Sequence, residues 1–183
     1  LNPSSAASDV YKRQDNIPTE ILEVNPSGNL PLLIDRELSL YHSGLIVEYL
    51  DERFPHPPLL PVYPVARAQT RLILHRFESD WCEPMDIIED LATTKNEKNK
   101  SKKIIEKNLA NSLSLFNNQN FFRSDDLTVL DTVIMPILFR LPYFGIKIPS
   151  SNSAKALNEY IERMRDYKSF SESISESEKE LLI

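Results

Sequence analysis

The sequence predicts a small α/β unit followed by an all-helical one. Three observations carry this expectation. Two short strand-like stretches, "LPLLID" and "ELSLY", lie near the start of the 183-residue chain. A run with five prolines, "FPHPPLLPVYPVAR" from Phe54 to Arg67, then interrupts all regular structure. Beyond it, apolar residues recur at helical spacing almost to the end.

The elements follow in order. Pro18–Val24 has the composition of a short helix or turn, and Asn25–Asn29, "NPSGN", is a turn cluster. Leu38 and Leu40 alternate with polar neighbours, as in a half-buried strand. Leu30–Ile34 and Glu37–Tyr41 therefore read as a β-hairpin around Arg36. A helix begins at Ser43, with Leu45, Ile46, Tyr49 and Leu50 on its inner face and Asp51, Glu52 and Arg53 toward water. Pro55 ends it.

After the proline run, Val65, Ala68, Leu72 and His75 form one stripe of a long helix. Ile73, Phe77, Trp81 and Met85 form another beside it. His75 then reads as a hydrogen-bonded core histidine. Pro64 suits the helix's first turn, and Pro84 should kink or end the helix. Thr93–Lys103, "TTKNEKNKSKK", reads as a solvated connector; without interleaved aromatic residues its lysines are a weak nucleic-acid signal. Ile105, Leu109, Leu113 and Phe116 mark the next helix. Leu127–Pro142 is apolar nearly all round, which places it at the centre of the bundle. Thr128 stands three residues before Asp131, the spacing of a capping box. Leu157, Tyr160, Ile161 and Met164 mark a last amphipathic helix, and "SESISESEKE" reads as a frayed polar tail.

The expected organisation is thus a leader at 1–14, an incomplete α/β domain at 15–56, a proline-rich linker at 57–64, a helical domain at 65–170 and a tail at 171–183. "SSAASDVYKRQ", Ser4–Gln14, resembles the translation of a transposon-type sequencing adapter rather than a natural disordered tail. On that reading a natural first strand is missing, and the edge of Leu30–Ile34 is left unpaired.

Composition narrows the function. Hydrophobic residues make up 41% and charged residues 26%, as in a globular protein. No apolar run has membrane-spanning length, and no secretory signal is evident. The net charge of −6 argues against a chain that grips nucleic acid by itself. One cysteine, Cys82, rules out an internal disulfide and fits a reducing cytoplasm. It stands beside Trp81 with no basic neighbour, which favours an inert thiol over a nucleophile. His42, His56 and His75 are too scattered to suggest a metal site. Three glycines, Gly28, Gly44 and Gly145, leave no phosphate-cradling loop. No cofactor is implied, and no carboxylate pair is placed for acid–base catalysis.

"NPSGNLPLLID", "YHSGLIVEYLDERFP" and the "TVLD" cap together resemble the glutathione S-transferase fold from Asp15 to about Phe170. The resemblance implies a thioredoxin-like domain followed by a helical one. "YLDERFPHPPLLPVYPVAR", "DW" at Asp80–Trp81 and "FRLPYFGI" at Phe139–Ile146 more specifically resemble the stringent starvation protein A family. That resemblance implies a cytoplasmic regulator that associates with RNA polymerase and acts on transcription under starvation. It also implies a homodimer or a heterodimer with a related subunit, and a binding protein rather than an enzyme.

The resemblance also locates candidate sites. The fold places a cis-proline before the first hairpin strand, where Pro31 stands, so that the backbone of Leu30 can meet a peptide-like ligand. Active transferases carry Glu/Gln–Ser at the next helix start; here the pair is His42–Ser43. Ser43 can still cap the helix, but His42 supplies no fixed carboxylate for a ligand's ammonium. Leu30, Pro31, His42 and Ser43 are accordingly expected to be a vestigial ligand site. The partner-binding candidates are Pro55, His56, Pro57, Pro58 and Tyr63, because prolines fix the backbone and lower the entropy lost on binding. Leu59 and Leu60 are expected to anchor the segment to the core. Thr128 and Asp131 are assigned to the structural cap. The competing reading is a glutathione-dependent transferase or isomerase.

Overall fold

The computed structural model describes residues 18–28, 30–116 and 119–180. The leader expected at 1–14 lies outside them. The chain divides into two compact units, Leu1–Pro57 and Pro58–Ile183. The boundary thus falls inside the proline run, and its second half belongs to the helical unit.

In the first unit, α1 (Thr19–Val24) leads into the "NPSG" turn. There the Gly28 N–H donates to the Asn25 carbonyl at 2.9 Å, with Gly28 at φ +67°. Strands β1 (Leu32–Asp35) and β2 (Leu38–Tyr41) pair antiparallel, in the register Leu32↔Tyr41 to Asp35↔Leu38. The hairpin is the expected one, two residues shorter at its start. Glu37 joins the turn, in which Arg36 adopts φ +57°. Helix α2 (Ser43–Arg53) packs on β2. The Tyr49 hydroxyl donates to the Asp35 carboxylate, and Arg53 Nε lies 3.8 Å from the same group. The inner face of α2 is narrower than expected. Ile46 is buried and Tyr49 half-buried, but Leu45 and Leu50 are exposed. Among the described residues a two-stranded sheet is all that faces α2, too little to cover a four-residue stripe.

The second unit is helical. The expected long helix is built from three pieces: α3 (Pro64–Phe77), a π-helical stretch (Glu78–Cys82) and α4 (Glu83–Glu89). Pro84 sits in the first turn of α4, where a missing N–H costs nothing. The π-helical widening absorbs the break in the hydrogen-bond ladder before it. Phe77, Trp81 and Met85 are buried. The companion stripe is not: Val65 is 73% exposed, Leu72 60%, and Ala68 and His75 also face out. The expected core histidine is therefore a surface residue. Both stripes had the right period, but one chain supplies packing for one side of the helix only.

Helix α5 (Lys95–Ser112) corrects the connector. The helix starts inside the lysine-rich stretch, on a Thr94–Glu97 capping box in which the Thr94 N–H donates to the Glu97 carboxylate at 3.0 Å. Ile105 and Leu109 face the core, and Leu113–Leu115 closes the helix as a 3-10 turn. Helix α6 (Val129–Arg140) is the expected central helix, with Val129, Leu130, Ile134, Met135, Ile137 and Leu138 buried. Helix α7 (Lys155–Arg165) buries Leu157, Tyr160, Ile161 and Met164, as its spacing requires. The tail is not simply frayed. It forms α8 (Lys168–Ser173) and α9 (Glu176–Glu180), and Glu178 accepts a hydrogen bond from Arg140 of α6 at 2.7 Å.

Candidate functional site

The proline segment divides at Pro57. Its first half closes the first unit. Phe54 caps α2 and is 66% exposed, and the Arg53 guanidinium lies 5.5 Å above its ring. The His56 N–H donates to the Phe54 carbonyl at 2.9 Å, which turns the chain tightly, and the His56–Pro57 peptide is cis. Pro55, His56 and Pro57 are all exposed. The second half opens the helical unit. Pro58 is exposed, while Leu60 is buried and the Leu59 carbonyl accepts the Val129 N–H at 3.0 Å. These two leucines anchor the segment, as expected from sequence. Tyr63, at the start of α3, is 79% exposed. In the second unit, Pro58 and Tyr63 thus face water on a backbone anchored by Leu59 and Leu60.

The second candidate lies at the open end of the hairpin. Leu32 pairs with Tyr41, so the next residues outward are Pro31 on one strand and His42 on the other. The Leu30–Pro31 bond is cis, the geometry implied by the resemblance, and Leu30 and Pro31 are exposed. His42 occupies the N-cap position of α2 at φ +105°, and its ring lies over Gly44, where a Cβ would meet it at 3.4 Å. Ser43 is the first helical residue rather than the cap. The hairpin register thus brings the two expected pairs to one end of the hairpin.

Asp131 is the hub of a buried hydrogen-bond network in the helical unit. It is fully buried and accepts four hydrogen bonds: from the Phe122 N–H (2.7 Å), the Thr128 N–H (2.9 Å), the Thr128 hydroxyl (3.0 Å) and the Tyr160 hydroxyl (2.9 Å). Thr128 returns the favour by accepting from the Leu130 N–H at 3.2 Å. Burial, and then the adjacent Asp131 charge, push the Tyr160 phenol well above its usual range. The cap was legible; the links to Phe122 and Tyr160 were not, because they come from distant sequence.

Cys82 is half-buried, and burial, with the nearby Asp86 and Glu78 carboxylates, pushes its thiol up to about 11. It is a thiol rather than a thiolate at neutral pH, which suits an inert residue. A cavity of about 330 Å³ opens between α3, the π-helical stretch and α5, lined by Arg76, Asp80, Trp81, Asn108 and Arg123 among others. Asn108 Nδ2 donates to the Asp80 carbonyl at 2.6 Å across it. Among the described residues no group of three or more metal-ligating side chains gathers, and no helix is long and apolar enough to cross a membrane.

Comparison with known proteins gives concordant results. A family model described as "Glutathione S-transferase, N-terminal domain" matches residues 8–58, a range that takes in part of the 1–14 stretch. A stringent starvation protein A homolog from Coxiella burnetii is 42% identical over 174 residues, covering 94% of this chain and 82% of that protein. One from Haemophilus influenzae is 37% identical, covering 88% and 74% respectively. Among solved structures, a Tau class glutathione S-transferase from mango superposes with a TM-score of 0.74 at 22% identity, covering 92% of this chain and 80% of its own. A sphingomonad glutathione S-transferase complexed with glutathione gives 0.73 at 20% identity, covering 88% and 78%. At these identities the structures establish the fold alone.

Proposed function

The chain belongs to the stringent starvation protein A family, and from that membership we propose that it is a cytoplasmic, RNA polymerase-associated regulator of transcription in the starvation response. It acts through protein–protein contacts on a glutathione-transferase-like scaffold. The observation that carries the reading is the exposure of Pro55, His56, Pro57, Pro58 and Tyr63 on a backbone restrained by prolines. Such a segment loses little conformational entropy when a partner covers it. His56 offers ring nitrogens for hydrogen bonds, and Tyr63 adds an apolar face with a polar tip. The acidic balance of the chain complements basic partner surfaces.

The test is co-purification of RNA polymerase holoenzyme with the wild type and with Pro55→Ala/His56→Ala/Pro57→Ala. The variant is expected to recover little polymerase. Equal recovery would remove this segment as the docking site.

The second reading is a glutathione-dependent transferase or isomerase. It is favoured by the hairpin register, which puts Pro31 and His42, with their neighbours Leu30 and Ser43, at the same end of the hairpin. Against it stands His42, which offers no carboxylate to a ligand ammonium. Retention on immobilised glutathione with conjugation of a standard electrophile would favour this reading, and neither is expected.

The outward stripe of α3 supports assembly as a homodimer or with a related subunit. Val65 and Leu72, with Ala68 between them, leave apolar area in water on a regular helix face. Leu72→Glu is expected to shift the protein toward monomer in light scattering.

A further inference from the structure

The cavity of about 330 Å³ is built wholly from residues of the helical unit, and no residue of the proline segment lines it. Part of its lining is aromatic. Phe77, Trp81 and Phe122 are buried there, and the Phe77 and Phe122 rings stand 5.7 Å apart. Ligand pockets range over about 300–1,000 Å³. This one is at the small end, which suits a compact flat molecule rather than a length of chain.

The polar part of the lining separates into groups with partners and groups without. Asn108 Nδ2 donates to the Asp80 carbonyl at 2.6 Å, and the Ser112 hydroxyl donates to the Asn108 carbonyl at 2.7 Å. These bonds tie the π-helical stretch to α5 and hold one wall in place. Arg76 Nε stands 3.5 Å from the Asp80 carboxylate. Among the described residues its terminal nitrogens make no other ion pair, and the Arg123 guanidinium and Asn111 carboxamide make no hydrogen bond at all. Both arginines are exposed, which puts them at the mouth rather than the floor. Two guanidinium groups thus meet one carboxylate at this cavity, in a chain whose net charge is −6.

The turn that carries Arg123 is fixed. Phe121 and Ser124 exchange backbone hydrogen bonds at 2.9 and 3.4 Å, and the Phe122 N–H between them donates to the buried Asp131 carboxylate at 2.7 Å. Successive residues of the turn therefore serve the cavity differently: Phe122 is buried in its lining, and Arg123 is exposed beside it. Arg123 sits at φ +59°, a conformation that glycine adopts without strain. Arg36 in the hairpin turn shares it at φ +57°, so the backbone alone marks no site. What sets Arg123 apart is the combination of an aromatic cavity, a rigid mount and donors left without acceptors.

We propose that this cavity binds a small aromatic carboxylate. The ring of the ligand packs against Phe77, Trp81 and Phe122. Its carboxylate accepts from the fork of Arg123, the geometry that guanidinium groups match best. Arg76 adds a second cation and Asn111 a neutral donor. An ammonium would be repelled by the two guanidinium groups. A polyphosphate would bring its surplus negative charge against Asp80. A neutral aromatic would fill the apolar part and gain nothing from Arg123.

Trp81 is the chain's sole tryptophan, so its fluorescence reports on this cavity. The probe is para-nitrobenzoate, whose nitroaromatic ring quenches indole on contact. Its amide, para-nitrobenzamide, removes the charge, and acetate removes the ring. The wild type is expected to show saturable quenching by para-nitrobenzoate, about tenfold weaker binding of the amide, and neither quenching nor competition by acetate. Arg123→Gly keeps the turn and relieves its strain. It is expected to bind para-nitrobenzoate about tenfold more weakly, with thermal denaturation unchanged or raised. Arg36→Gly, which makes the same change of charge at a similar φ in the hairpin turn, should bind as the wild type does. Equal binding by wild type and Arg123→Gly would overturn the proposal. So would equal binding of acid and amide, or the absence of saturable quenching. An equal loss in Arg36→Gly would overturn it too, by reducing the effect to net charge.

Discussion

Asp131 and His56 make an instructive pair. Both are polar residues in the most distinctive stretches of the sequence. Asp131 is fully buried and accepts four hydrogen bonds within its own unit. His56 is exposed between two prolines, with its backbone N–H spent on a tight turn and its ring left to water. The first residue holds the fold and is unavailable to a partner. The second is available to a partner and contributes little to the fold. Distinctive sequence therefore has two physical origins here, and stability measurements separate them.

The largest effect is expected at Asp131. Asp131→Ala strands the buried Phe122 N–H and Tyr160 hydroxyl and removes the carboxylate half of the capping box. Each stranded buried group costs about 1–3 kcal/mol, so a loss on the order of 4 kcal/mol is expected. Urea denaturation monitored by Trp81 fluorescence measures it. A loss under about 1 kcal/mol would mean that water replaces the carboxylate cheaply, and the contrast with His56 would collapse.

The cap was legible because capping is local: Thr128 and Asp131 lie one turn apart, and an apolar run follows them. The remaining partners of Asp131 come from the loop before α6 and from α7, and no local spacing announces them. The same limit explains α3. Its two apolar stripes have equal claim on the core by periodicity, and only the location of α5 and α6 selects Phe77 over Leu72. The start of α5 was a different kind of miss. Polar composition suggested a connector, yet Thr94 and Glu97 stood at capping-box spacing in plain view. The fold class and the helical core were readable from pattern. Which exposed side chains matter was readable only in outline, since exposure depends on what the rest of the chain leaves uncovered.

A smaller effect is expected at Thr128. Thr128→Ala removes the acceptor for the Leu130 N–H but leaves Asp131 its other donors. A loss of about 1 kcal/mol is expected, the ordinary worth of an N-cap. Tyr160 should keep its raised phenol in this variant, since burial rather than the threonine sets it. A loss as large as that of Asp131→Ala would show that the threonine, not the carboxylate, organises the site.

Smaller still is the attachment of the tail. Burial pushes the Glu178 carboxyl up, but hydrogen bonds from Arg140 and Ser175 outweigh it and hold the group below its ordinary value of 4.5. A depressed carboxylate stabilises the fold above its unfolded pKa and loses that contribution as pH falls through the folded one. The tail should therefore loosen as the solution is acidified below about pH 4.5, with the rest of the helical unit intact. The pair is a third to a half exposed, so solvent screening limits its worth to under about 1 kcal/mol. Hydrogen exchange at α9 amides is the readout. Glu178→Gln should show at neutral pH the exchange that the wild type shows in acid.

His56→Ala should give the smallest change in stability and the most informative one. An exposed ring with no structural duty is worth within about 0.5 kcal/mol either way. The single variant is a cleaner comparison than the triple one, because replacing Pro55 or Pro57 also frees the unfolded chain and costs stability for that reason alone. A His56→Ala protein with wild-type denaturation and weakened recovery of polymerase would assign the ring to recognition. A protein that instead loses as much stability as Asp131→Ala would place the histidine in the structural class, and the segment's exposure would then say nothing about a partner.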